Sequence, residues 1–384
     1  MMRRRHIAIV TSGLGAGGAE RVIALIADHL VARGDRVSVI AFDRPDDPIF
    51  HPLPEGATIH RLGATRRSAI EPLARIMRLR RLLAAAQPDI VLSLLTKINA
   101  ITLLATIGLP ARVIPCERNN PTRQDAHPIW NLALRLLYRR ATAIVLQTAA
   151  SRRCLPRGVR KRATVIPNPI EPYAVATQDP LPPRLAAVGR LTHQKGFDLL
   201  IDAYARVADR HPAWQLDIWG EGDDRATLAS RIATLGMADR IALRGLSAAP
   251  GGWLAEAGAL VLSSRYEGFP NVLAEAMAAG LPVLATDCAF GPAELIAPER
   301  TGLLIPAENV ATLAIGLDRL LGDDALRSRI GTAARAAMRA YAPSTVLARW
   351  DALLDAVARP RRKAKARFIR ASSYCHLPAR RERS

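Results

Sequence analysis

The chain has 384 residues, of which 49% are hydrophobic and only 4% aromatic, and its formal net charge is +20. A single hydrophobic core stops growing at about 250–300 residues, so this length predicts two domains. Four scattered cysteines without a C-x-x-C pair argue against a disulfide framework and fit a reduced, cytoplasmic compartment. The most apolar stretch, 90–109, is interrupted by Lys97 and Asn99 and is no membrane span, and the apolar run 7–10 is too short for a signal peptide.

The first half of the chain alternates short apolar strands with helices. Strands are predicted at 6–11, 36–42, 90–94, 112–115 and 143–147. Helices are predicted at about 19–33, which ends at Gly34, and at 73–86, which ends before Gln87-Pro88. Alternation of this kind predicts an α/β fold with a parallel sheet that has helices on both faces.

A proline-rich segment then interrupts the pattern, and the alternation starts again after it. Residues 171–184 contain four prolines and are predicted to be a linker. Beyond it, strands are predicted at 185–188, 215–219, 241–243, 259–263 and 282–286 (the last clear strand), and helices at 196–210, 226–235 and 271–279. The predicted domains are 1–170 and 185–342, followed by a helix over 343–358 and a basic, disordered tail over 359–384. A cleft between two such domains is the expected ligand site.

A glycine-rich turn follows the first strand. The run Gly13-Leu-Gly15-Ala-Gly17-Gly18 fits G-x-G-x-x-G between a strand and a helix, where backbone amides can approach a phosphate. Asp43 ends the second strand, where a dinucleotide-binding fold places its ribose carboxylate. These two features leave open an NAD-dependent oxidoreductase. Taken alone, the run also fits a tight turn that simply requires glycine.

Two cations lie on the turn after the first strand of the second half. Arg190 and Lys195 are five residues apart on the segment that runs from Gly189 to Gly196. Arginine binds phosphate oxygens as a two-pronged fork and lysine acts as a point charge, so the pair is suited to hold a diphosphate. The alternative is that both are ordinary surface cations.

The strongest motif spans Glu267 to Glu275. Asn271 is expected to cap a helix that begins where Gly268 and Pro270 end a loop, with the helix amides directed at a diphosphate. Glu275 lies one turn further on the same face and is suited to accept both hydroxyls of a ribose, whereas Glu267 is suited to accept from sugar hydroxyls. Paired glutamates also occur in glycosidases, but the neighbouring phosphate-binding features favour a nucleotide sugar.

Together these motifs resemble retaining glycosyltransferase family 4, which has the GT-B fold: two Rossmann-like domains face each other across a cleft, and a C-terminal helix crosses back to the first. The resemblance covers about residues 6–358 and rests on the E-x7-E spacing, the Arg/Lys pair and the glycine turn. It implies catalytic roles for Glu267, Arg190 and Lys195. The donor-binding residues that it implies are Gly17, Gly18, Gly268, Phe269, Pro270, Asn271, Val272 and Glu275.

The segment after the strand at 112–115 carries a narrower resemblance. Many family members have a histidine near the donor sugar there, and this chain has Glu117-Arg118-Asn119 instead. With residues 287–294, this pattern resembles the branch that makes exopolysaccharides and lipid-linked oligosaccharides, including amylovoran-type transferases. The resemblance implies that Glu117, Arg118 and Asn119 line the acceptor side. His127 is an alternative for the missing histidine, although a loop histidine is more often a bystander.

The resemblance also implies the reaction. A hexose or N-acetylhexosamine would move from a UDP-sugar to a glycan acceptor with retained configuration, in cell-surface polysaccharide synthesis. The leaving phosphate would help to deprotonate the acceptor hydroxyl, while nearby cations stabilise the negative charge that grows on the diphosphate. Neither a cofactor nor a metal is expected, because the chain has no D-x-D motif and arginine and lysine can supply the positive charge.

Three basic clusters concentrate the positive charge. There are seven basic residues with one glutamate at 61–81, nine with no acid at 135–162, and ten with one glutamate at 359–384. Such clusters favour anionic partners, so we predict a cytoplasmic protein that is peripheral on the inner face of the plasma membrane and takes a polyprenyl-diphosphate-linked acceptor. The alternatives are solvated arginine-rich faces and a nucleic-acid-binding protein, although the chain has no RNP-like motif, zinc-ligand spacing or aromatic platform.

Overall fold

In the computed structural model, two parallel sheets form the two halves of the molecule. The structure describes residues 4–15, 17–63, 71–118, 134–171, 173 and 181–358. The strands of the first sheet are β1 (His6–Thr11), β2 (Arg36–Ala41), β3 (Ala57–Arg61), β4 (Ile90–Leu94), β5 (Arg112–Glu117), β6 (Ile144–Leu146) and β7 (Ala163–Val165). Within the described residues they pair in parallel in the order β3-β2-β1-β4-β5-β6-β7.

The second sheet repeats this plan after the linker. Its strands are β8 (Arg184–Val188), β9 (Gln215–Trp219), β10 (Ile241–Gly245), β11 (Ala259–Leu262), β12 (Val283–Asp287) and β13 (Leu303–Pro306). They also pair in parallel, in the order β10-β9-β8-β11-β12-β13. The first strand of each sheet, β1 or β8, is an interior strand, so the strand order reverses beside it. Open α/β sheets bind ligands at such a point.

Helices connect the strands and cover the faces of both sheets. They are α1 (Gly18–Ala32), α2 (Glu71–Ala86), α3 (Thr96–Ala105), α4 (Phe197–Ala205), α5 (Arg225–Thr234), α6 (Asn271–Ala279), α7 (Pro292–Leu295), α8 (Val310–Gly322), α9 (Asp324–Met338) and α10 (Pro343–Ala358). Local sequence explains several starts: Asn309 accepts a bond from the amide of Thr312 before α8, and Asp323 from that of Leu326 before α9. Within the described ranges, each helix is too short or too polar to cross a bilayer.

The last helix returns to the first domain. Val346, Trp350 and Leu354, four residues apart on α10, are buried in the core that underlies the first sheet. At the outer edge of this contact, Arg5 Nη1 lies 2.7 Å from Asp355 Oδ1. The crossing helix that the family resemblance implied is therefore confirmed, and the last described helix packs on the first domain.

The two domains contact each other through loops at the carboxyl ends of their strands. Asn168, which follows β7, donates from Nδ2 to Oδ1 of Asn271, at 2.6 Å. Glu294 of α7 accepts from the amides of residues 149 and 150, which follow β6, both at 2.8 Å. Because parallel strands place their carboxyl ends at one edge, the cleft lies between these two edges. This is the two-domain architecture expected from the sequence.

Several parts of the fold differ from the sequence prediction, which named neither β7 nor the helices α8 and α9. The strand at 282–286 is not the last, since β13 extends the sheet beyond it, and β3 was not predicted at all. β3 is an edge strand with mostly half-exposed residues, so it lacks an apolar run. The helix predicted over 196–210 is also too long, because α4 ends at Ala205 and a 3₁₀ turn occupies Ala208–Arg210.

Candidate active site

Lys195 and Glu267 form a largely buried ion pair in the second domain. Nζ of Lys195 lies 2.6 Å from Oε1 of Glu267, and the two side chains are 16% and 7% exposed. Ser264 Oγ donates to the same oxygen at 2.6 Å. The backbone of Glu267 is also held, by the carbonyl of Ala289 and the amide of Phe290. A carboxylate that has lost its water needs such donors, so Glu267 is fixed in one orientation.

The turn that carries Lys195 packs tightly against the end of β11. Gly196 has a φ of +63°, and a Cβ at this position would lie 2.3 Å from the carbonyl oxygen of Ser263. Ser263 Oγ in turn donates to the carbonyl of Lys195 at 2.9 Å. Both the backbone angle and the close approach require glycine. Arg190, at the start of this turn, is exposed, and its guanidinium makes no hydrogen bond within the described residues, so this group is available to a ligand.

The start of α6 differs from the sequence prediction. The prediction that Asn271 caps the helix is wrong: the helix begins at Asn271, and Pro270 occupies the cap position. The Asn271 side chain is turned toward the first domain, where it accepts from Asn168 and where its Nδ2 lies 2.4 Å from the Cβ position of Gly18. Any side chain at Gly18 would therefore displace this contact between domains. The amides of Asn271 and Leu273 donate to the carbonyls of Phe269 and Pro270, so this helix start favours an anion through its partial positive charge.

The rest of this loop contributes its backbone to the cleft. Phe269 is 8% exposed, and its ring packs in the second-domain core with its centroid 6.1 Å from that of Tyr341. Gly268 and Pro270 are buried as well, and the half-buried Val272 packs on the same core. Because the side chains of Phe269 and Pro270 are buried, a ligand in the cleft would meet these two residues through their main-chain groups.

Glu275 is contacted from the first domain by Arg21. Arg21 Nη1 donates to Glu275 Oε1 at 2.7 Å, and the two side chains are 17% and 12% exposed. The same guanidinium donates to the hydroxyl of Tyr173 and lies 4.7 Å from the centroid of its ring. Burial raises the pKa of Glu275, and Arg21 acts against that shift. Arg21 was absent from the predicted site, although its place in the first turn after the glycine run was a usable signal.

Asp43 braces the glycine-rich turn. Its Oδ2 accepts from the amide of Leu14 at 2.9 Å and forms an ion pair with Arg61, also at 2.9 Å. A Cβ at Gly13 would lie 3.3 Å from this oxygen. The carboxylate that the oxidoreductase alternative assigns to a ribose is thus used by the protein's own loop. Gly17 occupies the cap position of α1, at the cleft.

Glu117 lies inside the first domain and is 3% exposed. Its carboxylate accepts from Thr96 Oγ1 at 2.6 Å, from Asn99 Nδ2 at 3.0 Å and from the hydroxyl of Tyr138. Burial raises the pKa of Glu117, and these three hydrogen bonds act in the opposite direction. This placement differs from the prediction that Glu117 lines the acceptor side, because the domain itself uses both of its oxygens.

Arg118 occupies the inner end of the cleft. It is 8% exposed, its Nη1 donates to Asn168 Oδ1 at 2.5 Å, and its guanidinium carbon lies 5.7 Å from the centroid of the Trp350 ring. Its Nε and Nη2 have no hydrogen-bond partner in the described part of the chain. Burial lowers the pKa of this guanidinium. The other predicted acceptor-side residue, Asn119, and the alternative His127 lie outside the described residues.

Two family models match successive parts of the chain. The model Glycosyltransferase Family 4 matches residues 16–173, and the model Glycosyl transferases group 1 matches residues 177–337. The boundary between the two matches falls in the proline-rich linker. Apart from β1 and α10, which lie outside both matches, each model therefore corresponds to one of the two sheets and its helices.

Two individual relatives are similar to this chain in sequence. An exopolysaccharide phosphotransferase of Streptomyces coelicolor is 33% identical over 62% of this chain, which corresponds to only 26% of its own length. The N-acetylgalactosamine-N,N'-diacetylbacillosaminyl-diphospho-undecaprenol 4-alpha-N-acetylgalactosaminyltransferase of Campylobacter jejuni is 27% identical over 88% of this chain and 96% of its own.

A solved structure shares the fold. Anabaena Alr3699/HepE in complex with UDP superimposes with a TM-score of 0.76 at 20% identity, covering 91% of this chain and 100% of that one. The family matches divide the chain as the two sheets do, and the residues behind the resemblance meet at the cleft between them. The chain belongs to the glycosyltransferases described by the family 4 and group 1 models, which have the GT-B fold.

Proposed function

We propose that the protein is a retaining glycosyltransferase that moves a hexose or N-acetylhexosamine from a UDP-sugar to a glycan carried on a polyprenyl diphosphate. The observation that carries the proposal is the arrangement of Lys195, Glu267 and Glu275 around the start of α6. The turn before α4 presents a cation, the loop before α6 presents a fixed carboxylate, and α6 presents a second carboxylate one turn after its start. These are the groups that the diphosphate, sugar and ribose of a nucleotide sugar require.

The diphosphate would lie between Arg190, Lys195 and two helix starts. The contact between Asn271 and Gly18 brings the first turn of α6 close to the first turn of α1, which comes from the other domain. Both helix ends carry partial positive charge, which favours an anion between them. These groups are in place before reaction and stabilise the charge that develops on the leaving phosphate. In this proposal the cationic side chains act without a resident metal.

The two glutamates would orient the donor. Glu267, held by Lys195 and Ser264, accepts hydrogen bonds from sugar hydroxyls, and Glu275 accepts from the ribose. The bond from the anomeric carbon to the phosphate oxygen breaks as the bond to the acceptor oxygen forms on the same face. The acceptor proton passes to the leaving phosphate. Closure of the domains would exclude water and so limit hydrolysis of the donor.

A first test measures donor use directly. The unaltered protein is incubated with UDP- and GDP-sugars and a membrane lipid extract, and released nucleoside diphosphate and product configuration are recorded. One UDP-sugar should be consumed with retention. Glu275→Ala should raise the donor KM by about 10- to 100-fold, since hydrogen bonds to charged groups contribute about 1.5–3 kcal/mol. Glu299→Ala, which removes an exposed glutamate paired with Arg319, is the matched control and should leave the KM unchanged. Consumption of no nucleotide sugar would contradict the proposal.

A lipid-linked acceptor also requires contact with a membrane. The Campylobacter jejuni relative is named for a diphospho-undecaprenol substrate. In this chain, the basic segment (residues 135–162) has nine basic residues and no acid, and Arg139, Arg140 and Lys161 are exposed. Leu136, in the same segment, is 59% exposed. A surface of this composition is attracted to anionic lipids. We infer that this segment rests on the inner face of the plasma membrane.

Neutralising part of the basic segment should weaken vesicle binding. Arg139→Gln, Arg140→Gln and Lys161→Gln together should lower the partition coefficient on anionic vesicles about 100-fold at low salt, at about 1 kcal/mol per charge. The matched control replaces three exposed second-domain arginines, Arg210, Arg231 and Arg319, by glutamine. Sedimentation with vesicles measures both triple variants at two salt concentrations. Equal binding by both variants, or binding that does not depend on salt, would refute the assignment.

A further inference from the structure

We propose that Arg21 is a positioning residue of the donor site, which extends from the first domain to hold Glu275 as an ionised acceptor for the donor ribose. The inference rests on the function proposed above and deepens it. The sequence motifs gave Arg21 no role. It is the contact between the domains that reveals one.

Arg21 is fixed from several sides. It lies in the first turn of α1, and its guanidinium donates to Glu275 Oε1 at 2.7 Å and pairs with Glu171 Oε2 at 3.3 Å. The Tyr173 hydroxyl accepts a further bond, and the Tyr173 ring lies 4.7 Å below the guanidinium. A planar guanidinium holds partners in set directions. Arg21 is therefore built into the cleft and is no mobile surface cation.

Arg21 favours the charged form of the Glu275 carboxylate. Glu275 is 12% exposed, and a carboxylate with so little water around it tends to take up a proton. Arg21 is the largest influence against that tendency, followed by Tyr173. A protonated acid has fewer free lone pairs and binds two hydroxyls less well than a carboxylate. Loss of Arg21 would therefore weaken the ribose site without removing Glu275.

Among the described charged side chains around Glu275, Arg21 is the cation in contact with it. Arg21 comes from α1, whereas Tyr173 and Glu171 come from the segment after β7. The nearby helix α9 contributes Arg335, but this side chain lies beside Gly280, past the other end of α6. In the described part of the chain, Arg21 is thus the cation that pairs with Glu275. Because it belongs to the first domain, recognition of the ribose depends on both domains being in contact.

The test is a set of UDP titrations from about pH 6 to about pH 9, the range over which a raised carboxyl pKa is visible. Arg21→Met should raise the UDP Kd about 10-fold near neutral pH, as expected for loss of a part-buried charge contact. The deficit should shrink as the pH rises, because Glu275 then ionises without help. Arg21→Lys should recover part of the affinity. Arg21→Met with Glu275→Gln should bind no more weakly than Glu275→Gln alone, since the arginine acts through the glutamate.

Arg33→Met is the matched control, because Arg33 follows the same helix and pairs with Asp351 of α10, away from Glu275. It should leave the UDP Kd unchanged. The assignment of Arg21 is overturned if Arg21→Met binds UDP normally, if its deficit is equal at every pH, or if the double variant is weaker than Glu275→Gln. Absence of nucleoside diphosphate binding by the unaltered protein would instead overturn the proposed function, and the role of Arg21 with it.

Discussion

Replacing Lys195 by alanine should lower kcat for sugar transfer by about two to three orders of magnitude, the usual effect of removing one preorganised group that stabilises developing charge. Nζ of Lys195 lies 2.6 Å from Glu267, and its side chain is only 16% exposed, so water screens its charge weakly. The change would leave the Glu267 carboxylate with Ser264 as its side-chain donor and the diphosphate with one cation fewer. The initial rate of nucleoside diphosphate release at saturating donor measures the effect.

Two further variants make this result specific. Arg231→Ala removes an exposed cation of the same domain that pairs with Asp202, and its rate should equal that of the unaltered protein. Lys195→Ala combined with Glu267→Gln should be little slower than the slower single variant, because groups that act as a unit are not additive. A Lys195→Ala enzyme that kept most of its kcat would show that the charge of Lys195 is not used in the reaction.

Replacing Trp350 by alanine should lower the free energy of unfolding by about 3–5 kcal/mol, the range for removal of a large buried aromatic side chain. Trp350 is 1% exposed and lies between Val346 and Leu354 in the first-domain core. The substitution also removes the ring beside the Arg118 guanidinium, whose buried charge has few other contacts. Urea unfolding followed by circular dichroism measures the change, and the midpoint should fall.

The neighbouring residue on the same helix supplies the comparison. Arg349 is exposed, so Arg349→Ala should change the unfolding free energy by no more than about 0.5 kcal/mol. The loss of unfolding free energy in Trp350→Phe should lie between those of Trp350→Ala and Arg349→Ala, because the smaller ring fills part of the space. If Trp350→Ala and Arg349→Ala unfolded at the same urea concentration, α10 would not contribute to the stability of the first domain.

Much of the fold follows from apolar runs that are local in sequence. β1, β2 and β4 are buried on both faces, so they read as continuous hydrophobic segments. β3 was missed because an edge strand takes its register from the neighbouring backbone and leaves half of its side chains toward water. β13 is only four residues long and ends in proline. The helices α8 and α9 were not predicted, although Asn309 and Asp323 are typical cap residues and indicate where the two helices begin.

The site was predictable where its residues are close in sequence. Glu267, Asn271 and Glu275 lie on one loop and helix, so their spacing alone places them together. The contact of Arg21 with Glu275 spans 254 residues, and no local pattern brings such positions together. Glu117 shows the opposite case. As a charged residue at the end of a strand it suggested a ligand contact, yet it is buried, and its donors come from two separate segments: Thr96 and Asn99 of α3, and Tyr138.

The return of α10 to the first domain determines how this chain can be recombined with its relatives. An exchange of the first domain that joins the two sequences only at the linker would leave the native α10 facing a foreign core. Val346, Trp350 and Leu354 would then meet side chains with which they were never packed. A chimera that carries residues 343–358 together with residues 1–170 preserves that core and should retain the folding of both halves. The unit of exchange is therefore discontinuous in sequence, with two junctions in place of one.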